Sequence, residues 1–388
     1  MKSIGGMAAA LVLLGTVQGA HAADTVKIGM VMPLSGWFQP IDASTINGAL
    51  LAVKEINAAG GVLGQQIEVE TFDNKSEPLL GADGATQMVA EGVKAMIVPS
   101  DFDFGAPGAF VAQQNGIISF SGASDPKFGV AGIGNLAYSL STAGQAQGAL
   151  LAEWGFEDQG WKTAYVLLDN TISYTKTLCG SFTERWKELA GEEGILGEDT
   201  FLNGDPSIDA QVSRITGLGT KPDVVLLCSY APGGPSAIRQ LRSAGVDAPI
   251  ITGESMDGDY WAGTVPGLSD FYVVNFGSLY GDDTDPAVAD FYRRYEAEYG
   301  ERADVSYAQR GYAMIEAWAR AAEKAGSVEP AEVAAALDTF RDEPLVVGPT
   351  TFTPELHIAT TRPMTILKAE AGKFSIVGKF SADEVELD

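Results

Sequence analysis

The sequence predicts an α/β protein of two doubly wound parallel-sheet lobes joined by a hinge that the chain crosses three times. Three observations predict it. Short apolar runs alternate with helical periodicities along most of the chain. The pattern breaks and restarts near residues 138–145. About 365 residues follow the N-terminal segment, more than one core of ordinary size holds.

The elements justify this in order. Residues 26–32 (VKIGMVM) form a strand that Pro33-Leu34-Ser35-Gly36 stops. Ile46, Leu50, Val53 and Ile56 then fall on one helical face, which Gly60-Gly61 closes. Strands are expected at 67–72, 95–98 and 117–120, with helices at 80–91 and 105–114 between them. After the break, helices at 146–154, 175–190 and 236–244 alternate with strands at 163–168, 223–228 and 249–252. Strand 271–276 is expected to return the chain to the first lobe. Helices follow at 286–299, 305–324 and 330–340, and a hairpin turns at Ala371-Gly372. The expected division is 1–22 as a leader, 23–141 plus 275–352 as the first lobe, and 142–274 plus 353–388 as the second.

The leader reading rests on Lys2, the apolar run 7–14 and the small-x-small pattern Ala20-His21-Ala22. It implies export to the periplasm. The apolar run is shorter than the ~20 residues a membrane span needs. The chain carries 25 Lys and Arg against 51 Asp and Glu, a formal charge of −26. Such a surface repels phosphate backbones and excludes nucleic acid as a partner. Cys179 and Cys228 are the only cysteines, and the sequence is compatible with one disulfide or two buried thiols. No spacing of Cys and His suggests a metal site, and no cofactor is expected.

Ligands of open parallel sheets bind beyond the carboxyl ends of the strands. The loops there carry Trp37 and Ile41, then Ser100-Asp101-Phe102-Asp103-Phe104, then Gly122-Ala123-Ser124. The second lobe offers Tyr174, Tyr230 and Glu254. This set suits a small zwitterion. Amides and a hydroxyl at Gly122, Ala123 and Ser124 would take a carboxylate. Glu254 would take an ammonium, while Trp37, Phe102, Tyr174 and Tyr230 supply apolar bodies.

The stretches VKIGMVMPLSG, NGALLAVKEINAAGGVLGQQIEVETFDNKSEP and ISFSGASDP resemble the periplasmic leucine/isoleucine/valine-binding proteins of ABC transporters. The resemblance implies a type I periplasmic-binding-protein fold that closes on an amino acid, acts as a monomer and serves an inner-membrane permease. It implies that Ser124, in A-S-D-P, stands where the family's carboxylate-binding threonine stands, with Gly122 as the preceding backbone contact. It aligns Tyr174 and Tyr230 with the family's tyrosines and Glu254 with its ammonium-binding glutamate. Ile41 takes a position often aromatic in the family. The family's serine-rich loop is replaced here by one containing Asp101 and Asp103, acids that are unfavourable beside a desolvated carboxylate. An aromatic or basic amino acid, an amide or a small aromatic acid therefore stays open, as does a sensing role without transport.

Catalysis finds little support. The only histidine beyond the leader is His357, so any Ser-His or Cys-His system would depend on it. Gly132–Ala137 matches G-x-G-x-x-A by letter but leads into a strand-like stretch.

Overall fold

Strand β1 (Thr25–Met32) is the seed of the first sheet: its side chains are buried on both faces from Ile28 onward. A strand that apolar needs neighbours on either side and helices above and below. The computed structural model, which describes residues 24–387, supplies both. Helix α1 (Gln39–Ala58) leads to β2 (Gln66–Asp73), α2 (Pro78–Ala90) to β3 (Ala95–Ile97), and α3 (Phe102–Gln114) to β4 (Ile118–Ser121) and β5 (Ala137–Ser139). The five strands are parallel in the order β2-β1-β3-β4-β5. Strand order reverses between β1 and β3, so a crevice opens where α1 and α3 begin.

The second sheet repeats the plan. Helix α4 (Gly144–Glu153) precedes β6 (Ala164–Asp169). Then come α5 (Ser173–Ala190), β7 (Ile195–Phe201), α6 (Asp209–Thr216), β8 (Val224–Cys228), α7 (Gly233–Ser243), β9 (Ile250–Thr252) and β10 (Phe271–Asn275). Here order reverses around β6, which pairs with both β7 and β8. Helices α8 (Pro286–Tyr299), α9 (Tyr307–Ala325) and α10 (Pro330–Leu337) return to the first lobe, where α9 packs along α1. A small ribbon, β11 (Glu343–Leu345) with β12 (Gly348–Thr350), follows. Strands β13 (Met364–Glu370) and β14 (Lys373–Phe380) end the second sheet as an antiparallel edge. Their turn places Ala371 at φ 49° and Gly372 at φ 76°, the conformation of a tight hairpin.

The hinge strands hold one another. Ser139 N donates to His357 O at 2.9 Å and Ala143 N to Ala359 O at 2.8 Å. Buried Arg362 donates to Leu140 O at 2.8 Å and to Thr350 Oγ1 at 2.8 Å, tying two crossings together. Close approach fixes α9 on α1. A Cβ on Gly48 would lie 2.0 Å from Ala308 O, and one on Gly311 1.8 Å from Thr45 O. Only glycine allows that spacing.

Several expectations need correction. Strand 271–275 lies in the second sheet, held by β9 and β13 on its two edges, and the chain leaves for the first lobe after it, close to the division drawn at 274/275. Helix α3 starts at Phe102 instead of 105, because the Asp101 side chain accepts from Asp103 N at 2.9 Å and caps it. Edge strand β7 and helix α6 carry too few apolar positions to stand out in the sequence. The leader expected over 1–22 lies outside the described residues. No helix among the described residues is long and apolar enough to cross a membrane.

Cys179 on α5 and Cys228 at the end of β8 are bridged, with Cα atoms 5.9 Å apart. The bridge closes a loop of 49 residues in sequence separation. Replacing both with alanine is expected to cost about 2–4 kcal/mol of stability with an unchanged far-ultraviolet spectrum. Urea denaturation checks this; an unchanged midpoint would show that the bridge does not constrain the unfolded chain.

Candidate functional site

The carboxyl ends of the two sheets face each other across a pocket. Its walls are aromatic. From the first lobe come Trp37, Phe38, Ile41, Phe102 and Phe104; from the second, Ile172, Tyr174 and Tyr230. Trp37, 48% exposed, sits at the mouth, its ring centroid 5.4 Å from Phe104 and 6.1 Å from Tyr230 on the opposite lobe. Helix α1 begins just after this loop and presents Ile41 from its first turn.

The floor is polar and dry. Glu254, 3% exposed, follows β9 and crosses to the first lobe. Its Oε1 accepts from Ser124 Oγ, from Ser141 Oγ at 3.1 Å and from Arg310 Nη1 at 3.1 Å. Arg310, 1% exposed, also donates to Gly122 O at 2.7 Å and lies 3.5 Å over the Tyr307 ring. Glycine at 122 makes room for this side chain: a Cβ there would meet Arg310 Cζ at 2.8 Å and Ser100 Oγ at 2.9 Å, so both would have to shift. Tyr174 donates to Gln147 Oε1 at 2.7 Å, and burial pushes its phenol well above the ordinary range, so it stays a donor. Gln147 Nε2 in turn reaches Ser124 Oγ at 3.3 Å.

The expected residues fall into two groups. Trp37, Ile41, Phe102, Ser124, Tyr174, Tyr230 and Glu254 line one pocket. Gly122, Ala123 and Asp103 do not. The Ala123 amide is spent on Ser121 Oγ at 3.0 Å and its carbonyl on Ser139 Oγ at 2.6 Å. Gly122 contributes a carbonyl to Arg310 and close approach for its guanidinium. Asp103 reaches across the cleft to the start of α5, accepting from Ser173 N at 3.0 Å and Ser173 Oγ at 2.9 Å. The acid that was awkward beside a carboxylate is thus a strut between lobes. His357 is buried away from the pocket, with Nδ1 2.8 Å from Ala137 O and Nε2 3.0 Å from Asp338 Oδ1. Among the described residues no cluster of acids, histidines or cysteines could hold a metal ion.

Sequence reasoning missed Arg310 and Tyr307. The signal was present: Tyr307, Arg310, Met314, Ala317 and Ala321 share the buried stripe of α9, and an arginine on such a stripe needs a partner.

Two acids at the floor hold protons unusually well. Asp42 is fully buried behind Ser100, whose amide donates to it at 3.1 Å, and burial raises its pKa. Burial first, then the Asp103 charge, pushes Asp101 up to about 7. The native chain therefore keeps a proton on Asp101 that the unfolded chain releases near its ordinary value of 3.8. This contribution to stability is full below that value and is lost as pH rises to about 7. Asp101→Asn is expected to flatten the fall of melting temperature between pH 4 and 7; an identical profile would show that Asp101 is ionised throughout. Asp103→Ala removes the strut. It is expected to weaken ligand binding on the order of tenfold without changing the ranking of ligands in calorimetry. A changed ranking would place Asp103 against the ligand.

Comparison with known proteins agrees with this architecture. The family model described as periplasmic binding protein matches residues 25–373. The Leu/Ile/Val-binding protein BraC3 of Rhizobium johnstonii is 29% identical over 363 residues, covering 91% of this chain and 94% of its own. The Leu/Ile/Val-binding protein homolog 3 of Brucella melitensis is 26% identical, covering 94% and 96%. Among solved structures, the branched-chain amino acid transporter substrate binding protein LivJ of Streptococcus pneumoniae, in complex with isoleucine, superposes with a TM-score of 0.80 at 24% identity, covering 92% of this chain and 99% of its own. A solute binding protein of R. palustris in complex with benzoate gives 0.77 at 18% identity, covering 94% and 98%. The family-model match over nearly the whole chain, on the same two-lobed fold, assigns this protein to the periplasmic binding protein family, whose members are substrate-binding proteins and not enzymes.

Proposed function

We propose that this chain is the exported, monomeric receptor of an ABC uptake system, which closes its lobes over a small apolar or aromatic carboxylate and presents it to an inner-membrane permease. Amino acids are the first class to consider, because the similar proteins bear Leu/Ile/Val-binding names. The observation that carries the reading is the meeting of Ser124 from one lobe with Glu254 from the other at the floor of an aromatic-walled pocket. A ligand contacting both lobes binds the closed form better than the open one. That difference in affinity is what shifts the population.

In this reading the carboxylate lies toward Ser100 and Ser124, and the apolar body lies among Trp37, Phe104 and Tyr230. An ammonium would use Glu254 Oε2, whose protein contact is Ser141 Oγ at 3.4 Å, since Oε1 is engaged by Arg310. A small aromatic acid is the second reading. The aromatic walls favour it, and a structural neighbour was solved with benzoate.

A thermal-shift screen of amino acids, amides and small aromatic acids, followed by calorimetry, tests the proposal. A true ligand at a hundred times its dissociation constant adds about 2.7 kcal/mol of apparent stability. At least one carboxylate is expected to do so in the wild type and to lose most of its effect in Tyr230→Ala. No stabilisation by any compound, and no retained small molecule in native mass spectrometry, would contradict the receptor reading.

A further inference from the structure

Arg310 has more donors than the protein gives it acceptors. Nη1 is satisfied by Gly122 O and Glu254 Oε1. Nε and Nη2 are buried without a hydrogen-bond partner. Leaving guanidinium donors dry and unpaired is costly, more so than for neutral groups. The protein has nevertheless built around this side chain. Gly48 and Gly311 let α9 approach α1, and Gly122 clears space for the guanidinium. Tyr307 stacks beneath it, and Tyr307 and Glu254, which contact it, line the pocket, with Arg310 one layer behind them.

The group that completes a guanidinium edge is a planar anion with two acceptors, which a carboxylate supplies in a fork-to-fork pair. The same side chain already neutralises Glu254, so an incoming ammonium gains less there than it would from a free carboxylate. Asp42 is the nearest further acid: burial raises its pKa and the Arg310 charge lowers it, while its oxygens already accept from Ser100 N and Thr45 Oγ1.

We propose that Arg310 anchors the ligand carboxylate through its free edge and that its pairing with Glu254 makes an α-ammonium dispensable, so the site takes apolar and aromatic carboxylic acids as well as amino acids. The inference rests on the receptor reading above.

Two matched series test it by calorimetry: leucine, 4-methylpentanoate and 4-methylpentanamide; phenylalanine, 3-phenylpropanoate and 3-phenylpropanamide. In at least one series the acid lacking the ammonium is expected to bind within tenfold of the amino acid, or tighter, and more than tenfold tighter than its amide. An amino acid that binds more than tenfold tighter than its desamino partner in every series that binds overturns the dispensable ammonium. The double variant Arg310→Met/Glu254→Gln removes both charges together. It is expected to lose the discrimination of acid from amide; retained discrimination shows that Arg310 is only a structural partner of Glu254. If that variant does not fold, the wild-type Arg310 Nε–H resonance serves instead. It is expected to shift on adding the acid and not the amide, and an unmoved resonance overturns the anchor. If none of the six compounds binds, the carboxylate anchor is overturned, while the receptor reading is decided separately by the wider screen.

Discussion

A buried ion pair between lobes sets the terms for the rest of the molecule. Glu254 and Arg310 come from opposite lobes and meet where water is excluded. Taking two charges out of water costs several kcal/mol per ion unless geometry and further hydrogen bonds compensate. The surroundings supply them: Ser124 and Ser141 on the carboxylate, the Gly122 carbonyl and the Tyr307 ring on the guanidinium. The helix that carries Arg310 is held by glycine contacts that tolerate no side chain. The hinge beneath is braced by Arg362, another buried cation, whose pKa burial lowers to about 9.

Closure follows from the same arrangement. Opening the lobes would return Glu254 and Arg310 to water and part Asp103 from Ser173 and Trp37 from Tyr230. The polar contacts lose little by hydration, whereas the aromatic surface loses its shelter. In the proposed reading, a guest that fills the aromatic pocket and satisfies the floor favours the closed form by its extra affinity for it. The ends of the cleft differ in chemistry: the mouth is lined by aromatic rings, and the floor carries the buried charges of Glu254 and Arg310.

Much of this was legible in residue order. The alternation of strand and helix was clear because buried strands such as β1 and β8 are apolar throughout. The Ala371-Gly372 turn announced its hairpin. Strand β7 was hidden by its polar, half-exposed composition. At the site, side chains that end loops after central strands, Trp37, Ser124, Tyr230 and Glu254, could be named because topology alone sends such loops to the cleft. Arg310 could not be found that way. It reaches the floor from the middle of a long helix, and its position depends on helix packing that no local pattern encodes. Asp103 was placed in the right loop, but its direction is set by the start of α5, which lies 70 residues away in sequence.

The most direct measurement is the distance between spin labels on the two lips of the cleft, at Leu79 and Leu202, both well exposed on opposite lobes. Saturating the pocket with a compound that calorimetry shows to bind should collapse a broad distance distribution to one short, narrow population. A distribution that does not change while the compound is bound would contradict an account in which the two lobes share one guest.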